Sequence, residues 1–304
     1  MSETGANEAL IIREITALSE MLELEELQKE VWGVNDREVS SACISPLNHC
    51  WRPIAWSFLR KQDCWFRFRF PGLEQGRIIL HSDMLAVLPE YRSRGLGYKL
   101  KLAQRDQALQ RGIDTITWTF DPLQLINANL NFAKLGVTSE RYLVNFYGET
   151  SSFLHSSGTD RLWLTWALNS ERVRQRLSDA GDSGYATEFN QARVIVGVTD
   201  ENEPMITLDI PLEAAVVIEI PSGINSLGSD LRVRWREATR RLLHTHLEVA
   251  SEFRNSPLVK RISDRLAGIC WSAAPKEIDG ILEFSDATQQ QSVSSGPRKL
   301  NLSV

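Results

Sequence analysis

The stretch that decides the fold is Leu85-Ala86-Val87-Leu88-Pro89-Glu90-Tyr91-Arg92-Ser93-Arg94-Gly95-Leu96-Gly97. An apolar strand ends at Val87, a turn led by Pro89 follows, and a helix begins with two glycines. These glycines let the backbone approach a ligand closely, so the successive N–H groups of residues 92–97 would point to one place. Arg92 and Arg94 add positive charge there. The stretch therefore predicts a turn that binds a diphosphate.

Two other phosphate-binding motifs do not fit this stretch. It lacks the Gly-Lys-Ser/Thr of a P-loop, and Tyr98-Lys99-Leu100 after Gly97 departs from G-x-G-x-x-G. Nucleoside triphosphates and dinucleotides are therefore disfavoured as ligands. The structural alternative is a glycine turn that only joins a strand to a helix.

The stretch resembles the cofactor signature of the GNAT superfamily of N-acetyltransferases, which is Arg or Gln, two residues, Gly, one residue, then Gly or Ala. Residues 92–97 fill every position of it, and residues 87–91 match the family's V-x-P-x-Y lead-in. Residues 127–136 resemble the family's later helix. Within the superfamily the chain is most similar to an uncharacterised bacterial group of predicted acetyltransferases, through residues 81–85, 118–123 and 160–163.

This resemblance implies an α/β (α+β) fold with a mixed, mostly antiparallel, splayed sheet flanked by helices. It also implies that acetyl-CoA is the co-substrate and that no metal is needed. The strand before the signature would contact the pantetheine arm and the acetyl carbonyl. The cofactor-binding residues expected from the resemblance are Leu85, Ala86, Val87, Arg92, Ser93, Arg94, Gly95, Leu96, Gly97, Asn127, Asn129 and Phe132.

Two departures from the family pattern concern the later helix. Many GNAT enzymes protonate the departing thiolate with a tyrosine at the position of Phe132, and Leu125 occupies the family's asparagine position, so Asn127 and Asn129 are approximate substitutes. The general acid would then be Tyr142, Tyr147, a water molecule or no group at all.

Three side chains are candidates for the group that deprotonates the amine. His81 and Asp83 are two residues apart on the central strand, so we expect them to share a face, although a strand histidine is more often structural. Asp121 ends the next strand, where it could act as a base or cap the following helix. An amine with a pKa of about 10.4 needs such a group at neutral pH.

The apolar patterns predict the element order β-α-β-β-β-α-β-α-β-β over the first half of the chain. The strands are expected at 10–15, 53–59, 64–70, 77–87, 114–120, 141–147 and 162–168, and the helices at 17–31, 95–112 and 123–134. We predict a GNAT domain at 1–168, a linker at 169–190, a C-terminal α+β subdomain at 191–284 and a disordered tail at 285–304.

A long amphipathic helix begins near Ser229 in the C-terminal subdomain. Trp235 belongs to its apolar stripe, and Arg232, Arg236 and Arg240 follow one side at a spacing of four. We expect these arginines to form a solvated face, with binding of phosphate or an acidic partner as the alternative. His244 and His246 are too close in sequence to share a helix face, so they predict no metal site.

Composition limits the classes of function. The 304 residues are 42% hydrophobic and 24% charged, a globular balance, and the net charge of −5 disfavours nucleic acid and anionic membranes as partners. The four cysteines show no paired spacing, and no apolar run is long enough for a membrane span. We expect a soluble, cytoplasmic bacterial protein and leave a homodimer open.

The sequence thus predicts an acyltransferase that moves an acetyl group from acetyl-CoA to an amine of a small molecule or peptide by direct attack. The alternative is a regulatory or interaction module that binds acyl-CoA with little turnover, which Phe132 favours. The sequence does not identify the acceptor amine.

Overall fold

A computed structural model describes residues 13–14, 17–39, 57–58, 65–87, 95–148, 150, 152, 155–178, 193–207, 216–221, 223–252 and 269–273. The first elements are β1 (Arg13–Glu14), α1 (Leu18–Trp32), β2 (Ser57–Phe58), β3 (Trp65–Glu74), β4 (Arg77–Val87), α2 (Leu96–Gln110), β5 (Thr115–Phe120), α3 (Leu125–Ala128), β6 (Thr138–Leu143) and β7 (Arg161–Ala167). A π-helical segment (Asn129–Lys134) continues α3. The predicted element order for this part of the chain is confirmed.

The later elements are α4 (Glu171–Ser178), β8 (Arg193–Val198), β9 (Pro204–Ile206), β10 (Val216–Ile220), a 3-10 turn (Ile224–Ser226), α5 (Ser229–Glu252) and β11 (Ile269–Ala273). Strands β11, β10, β8 and β9 form a second sheet in that order, in which β10 is parallel to both β11 and β8. The expected smaller α+β unit is therefore present.

The main sheet has five strands in the order β3-β4-β5-β7-β6. Antiparallel pairing joins β3 to β4, β5 to β7 and β7 to β6, whereas β4 and β5 are parallel. The expected mixed, mostly antiparallel sheet is confirmed. Its strands follow the alternation of apolar residues, which buries one face beneath α2 and the helical turn around Phe132.

The two central strands touch over a short distance only. Pairing between β4 and β5 is limited to Leu80 with Ile116 and His81 with Thr117. Beyond this point β4 stays paired with β3 as far as Val87, and β5 stays paired with β7 as far as Phe120. The sheet therefore divides into two arms, which confirms the expected splay.

A β-bulge lies at the start of this opening. Phe70 pairs with His81 and Phe68 pairs with Met84, but the register shifts between them and leaves Asp83 without an opposite residue. Because of this shift Met84 continues the face of His81. The prediction that simple alternation puts His81 and Asp83 on one face is wrong at this point.

The end of the first half also differs from prediction. Asn145 has a positive φ of 48°, and its N–H donates to the Asp160 carboxylate at 3.0 Å. This turn ends β6 at Leu143, so residues 144–147 form a turn and not the end of a strand.

Part of the expected linker is ordered as helix α4. Val173 is buried in the core, and a side chain at Gly136 would lie 2.9 Å from the Arg176 side chain, which shows how tightly α4 packs on the end of the π-helical segment. Buried side chains of both sheets, such as Leu164 and Ile218, belong to one contiguous cluster. The boundaries of the predicted domains stay a prediction.

Within the described parts of the chain, no helix combines the length and the apolar character that a membrane span requires.

Candidate active site

Helix α2 packs where β4 and β5 separate, because Lys101 in its second turn donates to the Ser82 hydroxyl on β4 at 3.2 Å and lies 3.5 Å from the centroid of the Trp118 ring on β5. Gly95 adopts a left-handed conformation with φ 70°, and Leu96 is buried, which anchors the start of the helix. A side chain at Gly97 would lie 3.5 Å from Leu130, so the segment after α3 packs beside the first turn of α2. The free N–H groups of that turn provide partial positive charge beside the strand opening.

The structure describes the predicted cofactor residues on β4 but not those in the turn that follows it. Leu85 is half-buried on β4, and Ala86 and Val87 are described as strand backbone paired with β3. Arg92, Ser93 and Arg94 lie outside the described residues. The strand and the helix that flank the predicted diphosphate turn are thus in place.

The residues expected after α3 differ in their access to a ligand. Asn127 is exposed and Asn129 is half-buried. Phe132, in contrast, is fully buried in the core, where its ring packs edge-on against Phe120 at 5.6 Å between centroids. A ligand cannot contact Phe132 in this packing, so its prediction as a cofactor contact is wrong.

His81 lies in the sheet and not on an open surface. Its Nδ1 is 2.9 Å from the Thr117 hydroxyl, and its ring stacks on Trp163 at 4.8 Å and packs against Phe70. Burial, aided by the positive charges of Lys101 and Arg141, lowers the pKa of His81 to about 4. At neutral pH the ring is uncharged and a weak base, which favours the structural interpretation.

Asp83 has the opposite character. It is half-buried at the bulge, two residues past the last β4 residue that pairs with β5, and no hydrogen bond from another described residue reaches its carboxylate. Burial raises the pKa of Asp83, because the charged carboxylate loses contact with water. Its position and its raised proton affinity suit a group that accepts a proton.

Asp121 is occupied by other contacts. Its two oxygens accept hydrogen bonds from Arg236 on α5, each at 2.7 Å, and Oδ1 also accepts the N–H of Leu123 at 3.0 Å. Burial alone would raise the pKa of Asp121, but the Arg236 guanidinium outweighs it and the pKa is lowered. The carboxylate therefore holds the turn and the ion pair together, and it is a poor proton acceptor.

The two candidate tyrosines occupy different environments. Tyr142 is buried and donates to Asp160 at 2.8 Å, and burial together with the Asp160 charge raises the pKa of Tyr142 well above its usual range. Tyr147 is 41% exposed, and its hydroxyl is 3.0 Å from the Thr119 hydroxyl on β5. Tyr147 is thus the one of the two that a ligand could reach.

Beside Tyr147 lies a cluster of charged residues that the sequence did not bring together. Arg240 on α5 donates two hydrogen bonds of 2.8 Å to the buried Asp160 carboxylate. Arg236 is 3% exposed and bound to Asp121. The expectation that the helix arginines form a solvated face is wrong for these two, because α5 packs that face against the ends of β5 and β7. The spacing of four was the available signal, but their acidic partners lie far away in sequence.

The cluster continues to the side chain of His155. Arg161 donates to the His155 Nε2 at 2.7 Å, and His155 Nδ1 is 2.7 Å from the Thr150 hydroxyl. Burial first, and then the Arg161 charge, lower the pKa of His155, so the ring is neutral with its proton on Nδ1. An open pocket of about 510 Å³ lies alongside, lined by Asn145, Gly148, Thr150, His155 and Gly158.

The described residues include no group of three or more His, Cys, Asp or Glu side chains that could hold a metal ion.

No protein-family model matches the chain, and no curated protein matches it. Solved structures do. The ribosomal-protein-S18-alanine N-acetyltransferase from Escherichia coli aligns at 15% identity and TM-score 0.42, over 53% of this chain and 96% of its own. Arabidopsis thaliana Naa50, solved with the bisubstrate analogue CoA-Ac-MVNAL, aligns at 13% identity and TM-score 0.40, over 51% of this chain and 97% of its own. Chaetomium thermophilum Naa20, solved with a bisubstrate analogue, aligns at 13% identity and TM-score 0.42, over 55% of this chain and 90% of its own. These values are low, so the function proposed below rests on this chain's own site.

The Arg236–Asp121 pair yields a stability prediction. Arg236→Met leaves a buried carboxylate without its partner, so the free energy of unfolding in urea should fall by about 3–5 kcal/mol. Arg174→Met breaks the exposed pair with Glu171 and should cost under about 1 kcal/mol. Adding Asp121→Asn to Arg236→Met should recover part of the loss. Equal costs for the two single variants would contradict the assignment.

His81 yields a prediction about pH. Because its pKa is lowered from 6.5 to about 4 on folding, the unfolded chain binds the proton first as pH falls. The stabilisation by neutral His81 is complete above pH 6.5 and should be lost progressively between pH 6.5 and about 4, by about 3 kcal/mol in total. His81→Gln should lack this component when both proteins are unfolded in urea across that range. Parallel pH dependences would show that His81 is not buried in neutral form.

Proposed function

We propose that the protein is an acyltransferase that moves an acetyl group from acetyl-CoA to an amine. The observation that carries the proposal is the separation of β4 from β5 after His81, beside helix α2, whose Lys101 contacts both strands. A parallel strand that loses its neighbour exposes N–H and C=O groups that need partners. The amide groups of a pantetheine arm can supply them.

The diphosphate of the coenzyme would lie at the start of α2. Gly95 and Gly97 leave the backbone open there, and Gly95 has the left-handed conformation that a side chain would disfavour. A helix terminus contributes about 0.3–1 kcal/mol per exposed anionic group, so charge from Arg92 and Arg94 is part of the proposal. In this proposal Asn127, which is exposed, and Asn129, which is half-buried, complete the rim.

Acetyl-CoA supplies an activated acyl group that an amine can attack directly, without a covalent enzyme intermediate. In this proposal Asp83 accepts the proton of the attacking amine. A backbone N–H of β4 near Leu85 donates a hydrogen bond to the carbonyl oxygen as it gains negative charge, a contribution that is often worth about 3 kcal/mol. Tyr147 is the proposed donor of a proton to the departing thiolate.

His81 and Asp121 receive different roles from those first considered. His81 positions β4 against β5 through Thr117, and Asp121 anchors α5 through Arg236. The substrate is an amine of a small molecule or a peptide.

A second function is favoured by one observation. Phe132 stands where many GNAT enzymes have the tyrosine that acts as general acid, and it is fully buried. A regulatory module that binds acyl-CoA with little turnover would need no such acid.

Calorimetric titration with acetyl-CoA, followed by a thiol-release assay over a panel of amines, tests the proposal. We expect binding and acceptor-dependent release of free CoA. Arg92→Glu should weaken binding at least tenfold, because it places a negative charge beside the diphosphate. Arg111→Glu makes the same change at the other end of α2 and should leave affinity unchanged. Binding without thiol release from any amine would favour the module, and unchanged affinity of Arg92→Glu would contradict the site.

Asp83→Asn tests the proposed base. Loss of a general base typically lowers the rate about 10²–10⁴-fold, so kcat should fall by that factor while the affinity for acetyl-CoA is kept. The rise of kcat with pH should also disappear from the Asn variant. Asp114→Asn, at the exposed opposite end of β5, serves as the matched control and should behave as the unaltered protein. An active Asp83→Asn variant with an unchanged pH profile would eliminate Asp83 as the base.

A further inference from the structure

Among the described residues, the charged cluster beside Tyr147 holds one more positive than negative group. It contains the guanidinium groups of Arg161, Arg236 and Arg240 and the carboxylates of Asp121 and Asp160. Two of the cations are therefore paired and one is not. Buried charge without a counter-charge is costly, which makes the excess informative.

Arg161 is the cation in excess. It is 7% exposed, and its two hydrogen bonds go to neutral acceptors, the Asp160 carbonyl at 2.8 Å and the His155 Nε2 at 2.7 Å. Its guanidinium also lies 5.0 Å from the centroid of the Tyr147 ring. No carboxylate among the described residues forms an ion pair with it. Burial lowers the pKa of Arg161, and the charges of Asp121 and Asp160 offset this shift only in part.

The open pocket lies next to this cation. His155, which receives the Arg161 hydrogen bond, is one of the residues that line it. Asn145 lines it as well, and because its Oδ1 accepts from Arg240 at 3.3 Å, its amide N–H₂ group remains as a donor. The negative charge of Glu38 raises the pKa of His155, but Glu38 is exposed, so solvent screens its charge.

Contacts between side chains lead from the pocket to the β5 arm of the opening. His155 stacks on Tyr147 with a centroid distance of 6.0 Å, and the Tyr147 hydroxyl contacts Thr119. Thr119 is two residues past Thr117, where β4 and β5 last pair, so it lies on the β5 arm of the opening.

We propose that this pocket binds a carboxylate carried by the acceptor, so that the acceptor is an amino acid or a short peptide with a free carboxylate. The inference rests on the proposed acetyl transfer. Asn145 donates a hydrogen bond to the carboxylate, and the unpaired charge of Arg161 attracts it from behind His155. A carboxylate carries one negative charge and neutralises the excess of one, whereas a phosphate monoester carries about −1.5 to −2 at neutral pH. The pocket volume of about 510 Å³ suits a molecule of this size.

Matched acceptors test this with the unaltered protein. A panel of amino acids and dipeptides is assayed beside the corresponding carboxamides, in which a neutral amide replaces the terminal carboxylate. The kcat/KM of the best carboxylate acceptor should be at least tenfold higher than that of its amide. The difference should lie in KM, as expected when a charged hydrogen bond is lost. Equal values, or turnover of amides alone, would overturn the carboxylate site and leave acetyl transfer standing. Failure of acetyl-CoA to bind in the same samples would instead contradict the proposed function.

Two variants locate the preference in the pocket. Asn145→Gly keeps the left-handed conformation and removes the amide group, and Arg161→Gln removes the charge. Each should reduce the preference for carboxylate to within about threefold, with the KM for acetyl-CoA unchanged. Asn202→Gly makes the same change at another left-handed turn and should keep the full preference. Circular dichroism checks folding, and an unaltered preference in folded Asn145→Gly would refute the proposed contact.

Discussion

The structure depends on the point where two parallel strands stop pairing. After His81 and Thr117, each of the central strands is held by its outer neighbour alone, so their inner edges diverge. Backbone groups cannot be left without partners at no cost, and here water or a ligand must serve them. The bulge at Asp83 lies on one arm of this opening, and α2 contacts both arms through Lys101. In the proposed function, this opening provides the slot for the coenzyme, Asp83 accepts the proton, and the start of α2 binds the diphosphate.

The C-terminal part of the chain contributes to this site through buried charge. Arg236 and Arg240 project from one side of α5 and pair with Asp121 and Asp160, at the end of β5 and just before β7. Both carboxylates are committed to these pairs, which holds the loop around Asn145 in its left-handed turn. This end of the β5 arm is therefore shaped by pairs of residues that lie 115 and 80 positions apart in the sequence.

Most of the fold could be predicted from local patterns. The element order, β4 and the long α5 follow from apolar periodicity, which depends only on neighbours in sequence. The bulge at Asp83 could not be predicted, because it is defined by pairing with β3. The burial of Arg236 and the contact of Phe132 with Phe120 depend likewise on distant residues. The sequence therefore identified the candidate site residues, and the packing of distant parts of the chain determines which of them are accessible.

The central claim is that a coenzyme binds along the free inner edge of β4. Amide hydrogen exchange measured with and without acetyl-CoA tests it most directly, since a pantetheine arm that accepts hydrogen bonds must slow exchange of the amides it covers. The account predicts slower exchange at residues 83–87 and 95–97, with no change in β10. Binding of acetyl-CoA that leaves residues 83–87 unprotected, or that protects β10 instead, would contradict it.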